Sequence, residues 1–399
     1  MPPQPAPFAS QGPEPGTARS GGTAATRPLF EYDGNIGDLY AVFILNLIFS
    51  MLTLGIYRFW AITKLRRYLW SHTRLEGSRL SYTGKGGELF LGFLLALVVI
   101  AVAAGGLALL AAALIEIDPM LAAIPVVAGY IAMFILFAAA RFSAQRYRLS
   151  RTEWRGIRGG MQGSALKYGV VWVLYLISTI VTLYQSVPWM QVGLARRRIS
   201  ATRFGSAVFG FDGTAGRLYW AWLGTIVATV ALLGAFGVVG YLLFEPVLGP
   251  LFSGTLSGKR QEAAVLVALP ILIGGALLFG ILSGLLATWY VARMLRLMVG
   301  HTTATVPAAP HPGGHGAETL RFSCTATAGS LLWLYLSNML IAIFTLGFGL
   351  PILLHRTARY LERTLFVTGH LDADALVQST LARPKTGEGF LQALDPGVV

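Results

Sequence analysis

Arg67-Tyr68-Leu69-Trp70-Ser71-His72-Thr73 is the stretch from which the architecture can be read. A basic, helix-forming run ends there in a β-branched hydroxyl residue. The same step returns at Arg146 to Thr152, Arg196 to Thr202 and Arg296 to Thr302, with a weaker copy carried by Arg359 and Thr364. After the first three, a glycine stands eleven residues past the threonine, at Gly84, Gly163 and Gly213. Recurrence on this scale describes how a chain is built from like units. It names no chemistry.

Moving outward, each membrane element is preceded by a short alternating segment that closes on glycine and then leucine. The copies are Phe30-Glu31-Tyr32-Asp33-Gly34, Leu80-Ser81-Tyr82-Thr83-Gly84 and Phe209-Gly210-Phe211-Asp212-Gly213, with looser forms at Met161-Gln162-Gly163 and from Phe322 to Leu331. Period-2 alternation ending in glycine predicts short strands with a turn. The alternative reading is an extended linker. The two motifs divide residues 29–376 into five units, at 29–79, 80–156, 157–208, 209–305 and 317–376. A flexible Pro/His/Gly insert is expected at 306–316, a disordered tail at 1–28 and a second tail at 377–399.

The chain has 399 residues, 55% of them hydrophobic and only 12% charged, against about 25% charged in soluble domains. Four apolar segments, 89–115, 120–140, 218–244 and 263–292, reach the roughly 20 residues that a bilayer crossing needs. Three further elements, 39–57, 168–195 and 331–354, hold a threonine–leucine pair at matching positions: Thr53-Leu54, Thr182-Leu183 and Thr345-Leu346. Pro188 and Pro351 follow at one spacing, where proline breaks a helix.

Charge bears on topology. If the three shorter elements dip in and return, all but two of the 31 Lys and Arg fall on one side. Seven ordinary spans would leave roughly a third on the disfavoured side, against the positive-inside rule. The expected fold is therefore an all-α polytopic membrane protein. It has four full transmembrane helices, three kinked or re-entrant helical hairpins, short cytosolic juxtamembrane strands, and both termini cytoplasmic. Seven spans is the alternative.

The stretch from Ser150 to Arg158 with Gly163-Ser164-Ala165, the pair Thr53-Leu54-Gly55-Ile56-Tyr57 and Phe59-Trp60-Ala61, and Leu332 to Asn338 resemble signatures of the YjgN-like family of bacterial inner-membrane proteins. The likeness runs from about Phe30 to Leu376 and departs at Gly159-Gly160 and in the insert. It implies a multi-pass inner-membrane location. It carries over no catalytic residue.

Candidate chemistry is sparse. The four long segments carry no ionisable group in their interiors, where carriers keep them; Glu116 and Asp118 sit in a short turn. Asn46 and Asn338, with Thr53, Thr182 and Thr345, form a candidate intramembrane polar site, either lining a cavity or capping helix breaks. Arg67, Arg146, Arg196, Arg296 and Arg359 are candidate contacts for anionic lipid headgroups at the cytosolic face, or simply topology determinants. Gly280 and Gly284 suit close helix packing or a homo-oligomer face. Gly84-Lys85-Gly86-Gly87 lacks the ending of a phosphate loop. His72 and His301 stand at equivalent steps, and His311 and His315 lack companion metal ligands. The sequence implies no enzyme, cofactor, metal or nucleic-acid partner. It leaves a passive conduit or small-molecule/lipid-handling transporter beside a non-catalytic membrane scaffold.

Overall fold

The computed structural model describes residues 26–243, 249, 258–307, 318–369, 371, 376–378 and 381. A first strand β1 (Thr26–Pro28) precedes five strand–helix–helix–strand segments. The first is β2 (Glu31–Tyr32), α1 (Ile36–Leu52), α2 (Arg58–Ser71) and β3 (Thr73–Leu75). Next come β4 (Ser78–Tyr82), α3 (Gly86–Ile115), α4 (Ala123–Ser150) and β5 (Thr152–Trp154), then β6 (Ile157–Met161), α5 (Ala165–Val181), α6 (Val187–Ala201) and β7 (Thr202–Phe204). The fourth is β8 (Ala207–Phe211), α7 (Ala215–Leu243), α8 (Lys259–Gly300) and β9 (Thr302–Val306). The last is β10 (Glu318–Cys324), α9 (Ala328–Phe344), α10 (Leu350–Thr364) and β11 (Leu365–Thr368).

Local chemistry sets these boundaries. The first helices of the three short hairpins begin on side-chain caps: Asn35 accepts from Gly37 N, Ser164 from Lys167 N and Thr327 from Ser330 N. Such caps satisfy orphan donors of the first turn. At the other end, the hydroxyls of Thr73, Thr152, Thr202, Thr302 and Thr364 each donate to the carbonyl four residues back, at 2.7–2.9 Å. Each bond serves one of the carbonyls that a helix end leaves free. The threonine of the recurrent step is thus a helix stop from which the strand departs.

The eleven strands form one antiparallel sheet in the order β1-β11-β10-β9-β8-β7-β6-β5-β4-β3-β2. Its two edges, β1 and β2, are separated in sequence only by Leu29 and Phe30, so the sheet bends round into a ring closed by its own chain. Contacts cross the seam: Arg27 of β1 pairs with Glu76 in the β3–β4 turn. Leu29, Leu75 and Leu80 pack with Leu320 and Val367 in one cluster around buried Trp154. The expected helical chain with four long apolar helices and short strands is present; what the expectation did not contain is that the strands join in one sheet. Alternation reports a strand but not its neighbours. The tail boundary at 28 also moves, because Thr26–Pro28 pair with β11.

The helices follow the ring. Each packs on its predecessor and successor, α8 on α9 included, and α10 returns to α1. The four long apolar segments fold as α3, α4, α7 and α8, each long and apolar enough to cross a membrane. Helices α1, α5 and α9 are shorter apolar arms.

Candidate functional site

The predicted polar residues at the hairpin tips share one geometry. Thr53, Thr182 and Thr345 each end the first arm, and each hydroxyl donates to the carbonyl four residues back: Phe49, Ser178 and Ile341. Each also accepts from the amide four residues ahead: Tyr57 at 2.9 Å, Ser186 at 3.1 Å and Gly349 at 2.8 Å. The leucine after each adopts positive φ, at 50°, 47° and 49° for Leu54, Leu183 and Leu346. Gly55 and Gly347 follow at φ 88°, a conformation that glycine adopts without a Cβ penalty. The leucines themselves are 95%, 81% and 88% exposed, which puts an apolar side chain at the apex of each hairpin. Pro188 and Pro351 fall in the first turn of the second arm, where no amide is missed. The tip threonines are consumed as caps. Asn46 is buried and donates through Nδ2 to the Ala61 carbonyl across the hairpin at 3.3 Å, which ties α1 to α2. The Oδ1 atoms of Asn46 and Asn338 are buried without an acceptor's partner.

Three of the five candidate arginines have internal partners at one spacing. Arg67, Arg146 and Arg196 donate through Nη2 to the carbonyls of Gly84, Gly163 and Gly213 at 3.3, 2.6 and 2.8 Å. Each clamps the end of one helical hairpin onto the start of the next. A Cβ on Gly34, Gly84 or Gly213 would run into the ring of Tyr32, Tyr82 or Phe211 two residues earlier, which accounts for glycine there. Among the described residues, Arg296 reaches only Ala292 O in its own helix, at 3.4 Å. Arg359 pairs with Glu362 at 3.1 Å and lies over the Tyr32 ring. Burial pushes the Tyr32 hydroxyl up to about 12, with Tyr68 adding and Arg359 opposing. His301 contacts Asp212 at 2.8 Å, whereas His72 faces the Tyr68 carbonyl, so the equivalent histidines do different things. Among the described residues, no three His, Cys, Asp or Glu side chains gather as metal ligands.

Two concave features bear on the ring and on the predicted residues. A recess of about 400 Å³ between α1 and α2 brings Asn46 and Arg67 together with Lys64, Tyr68 and Ser71. The structure does not place Asn338, Thr182 or Thr345 in it. The second feature was absent from the sequence reading. The lumen of the strand ring holds a cavity of about 330 Å³ whose wall is almost wholly apolar, including Trp154, Phe209, Ala304, Leu320 and Phe322. Eight strands close around a space that side chains just fill or that holds one small ligand, so eleven leave room to spare. The sequence signal was the alternation itself: the inward positions of the strands are apolar.

Comparison with known proteins agrees with the resemblance carried by these motifs. The chain is 23% identical to "Inner membrane protein YjgN" of Salmonella typhimurium over 86% of its own length and 89% of the relative's. It is 21% identical to the protein of the same name in Escherichia coli O157:H7, over 93% and 95%. No solved structure matches. The family described as "Bacterial protein of unknown function (DUF898)" matches residues 27–393, nearly the whole ring and its hairpins, and the chain belongs to that family.

Proposed function

We propose that this protein is a non-catalytic scaffold of the bacterial inner membrane that gathers anionic lipid around a cytosolic strand ring. One observation carries the reading: the lumen of the ring is lined by apolar side chains rather than by a polar path. The hydroxyls that would line a conduit are instead caps.

Topology supports it. Each hairpin leaves and re-enters at adjacent, hydrogen-bonded strands: β2 with β3, β4 with β5, β6 with β7, β8 with β9 and β10 with β11. An odd number of crossings would place paired strands on opposite sides of the bilayer. The 17-residue arms α1, α5 and α9 reach only about 25 Å at 1.5 Å per residue, short of the roughly 30 Å hydrocarbon core. The reading is therefore four crossings and three half-inserted hairpins. The ring and both termini lie on the cytoplasmic side, where the basic residues concentrate. Lys64 and Arg67 at the α1–α2 recess are placed for lipid phosphate, each such charge contributing about 1 kcal/mol near an anionic leaflet.

Two measurements test this. In a Cys324→Ser background, a membrane-impermeant thiol reagent on intact cells should label Asp118→Cys and leave Thr214→Cys unlabelled; labelling at Thr214 sinks the topology. Protein in mixed vesicles should retain anionic over zwitterionic phospholipid, with retention lowered by Lys64→Gln, and should pass no small polar solute. Solute flux above that of empty vesicles would favour the conduit.

A further inference from the structure

We propose that the lumen of the strand ring is a binding site for one apolar chain, the tail of a fatty acid or its ester, with Leu371 and Leu376 at its membrane-distal end. The proposal deepens the lipid-scaffold reading by naming a second lipid component and its place. An apolar cavity of about 150 Å³ stays dry and takes up benzene, so twice that volume suits a chain of roughly ten carbons. The lumen measures about 330 Å³.

The site has a polar end. Arg27 lines the lumen beside Glu76, and its Nη2 is shared between Glu76 and the Gly369 carbonyl. Its Nε is buried and has no acceptor among the described residues. Buried donors of this kind normally find a partner. Because Glu76 already offsets the guanidinium charge, the oxygen of an ester or a protonated carboxyl is a better match than a free anion.

Two leucines beyond β11 stand at the distal mouth. Leu371 and Leu376 face the lumen. Beyond them Val377 N donates to Ser206 Oγ at 3.2 Å, in the β7–β8 turn. Gln378 Nε2 donates to the Gly156 carbonyl at 2.8 Å and its Oε1 accepts from Arg158 N at 3.1 Å, in the β5–β6 turn. Val377 and Gln378 are thus pinned to the strand turns by polar bonds, and Leu371 and Leu376 line the apolar space. Trp154, 1% exposed, stands in the wall as an internal reporter.

The experiment uses the full chain in phosphatidylethanolamine/phosphatidylglycerol nanodiscs, titrated with terminally brominated undecanoic acid and its methyl ester. Bromine quenches nearby indoles. A saturable component of the quenching should be present in the wild type, missing in Trp154→Phe, and shifted about tenfold to weaker binding, or 1.4 kcal/mol, in Ala304→Leu, whose side chain fills the lumen. Quenching of equal size in Trp154→Phe would mean that bromine meets only the indoles of the membrane helices, and would overturn the proposal. Should Ala304→Leu fail to fold, unlabelled methyl undecanoate that does not compete in the wild type overturns it equally. Neither failure would alter the accessibility or phospholipid-retention results, so the lumen can fail while the scaffold stands.

Discussion

Thr345→Val removes a hydroxyl and keeps the side-chain shape. In the native hairpin that hydroxyl accepts from the Gly349 amide at 2.8 Å and donates to the Ile341 carbonyl. The carbonyl keeps its bond from the Thr345 amide at 3.0 Å, so its loss is minor. The Gly349 amide has no other acceptor at the tip. Leaving a buried donor unmade costs about 1–3 kcal/mol, and polar contacts between membrane helices average somewhat less, about 0.6 kcal/mol. With a tenfold change per 1.36 kcal/mol, the tip amides should exchange with deuterium about threefold to a hundredfold faster, read by mass spectrometry on peptides covering 345–353. Thr345→Ser keeps both bonds and should remain within about twofold of wild type. The same substitution at Thr53 should release Tyr57 N, and at Thr182 should release Ser186 N, giving two independent copies of the experiment. Unchanged exchange in Thr345→Val, or equal acceleration by Val and Ser, would refute the capping argument.

Gly84→Ala should cost about 1–3 kcal/mol through overpacking against the Tyr82 ring, seen as a lower melting temperature; Gly87→Ala, with open space around it, should be near neutral. Arg196→Gln should destabilise by about 1–3 kcal/mol because a charge-assisted bond to Gly213 O is lost, whereas Arg296→Gln should change little; equal effects would remove the clamp from the account. Tyr32, pushed up to about 12, keeps its proton in the folded state while the unfolded chain loses it near 10. Its contribution is therefore fully present below about pH 10 and is lost as pH rises toward 12. Tyr32→Phe should flatten that alkaline slope in unfolding midpoints, and an unaltered slope would assign it elsewhere.

Much of the candidate site was readable in parts and misleading as a whole. The threonines, glycines and arginines were found by their spacing, because each acts within four or seventeen residues of its partner: Thr345 on Gly349, Arg196 on Gly213. Their roles were not readable, since a polar residue in an apolar run looks the same whether it lines a cavity or caps a break. The structure spends Thr53, Thr182 and Thr345 on backbone and leaves Asn46 between two arms. It adds an apolar lumen of about 330 Å³ within the strands, which the composition made easy to overlook beside the long helices.

The sequence alone determined the four long apolar helices, the helix stops at Thr73, Thr152, Thr202, Thr302 and Thr364, and the short strands beyond them. All of these follow from hydropathy, capping and periodicity within a few residues. Only the tertiary structure decided that the strands share one sheet and that its edges meet. Closure requires Thr26 to find Thr368, 342 residues away. Alternation fixes which face of a strand is apolar but not which strand lies beside it. The lumen, its Arg27–Glu76 rim and the two leucines, Leu371 and Leu376, at its mouth exist only because that long-range pairing brings together segments that carry no mark of one another.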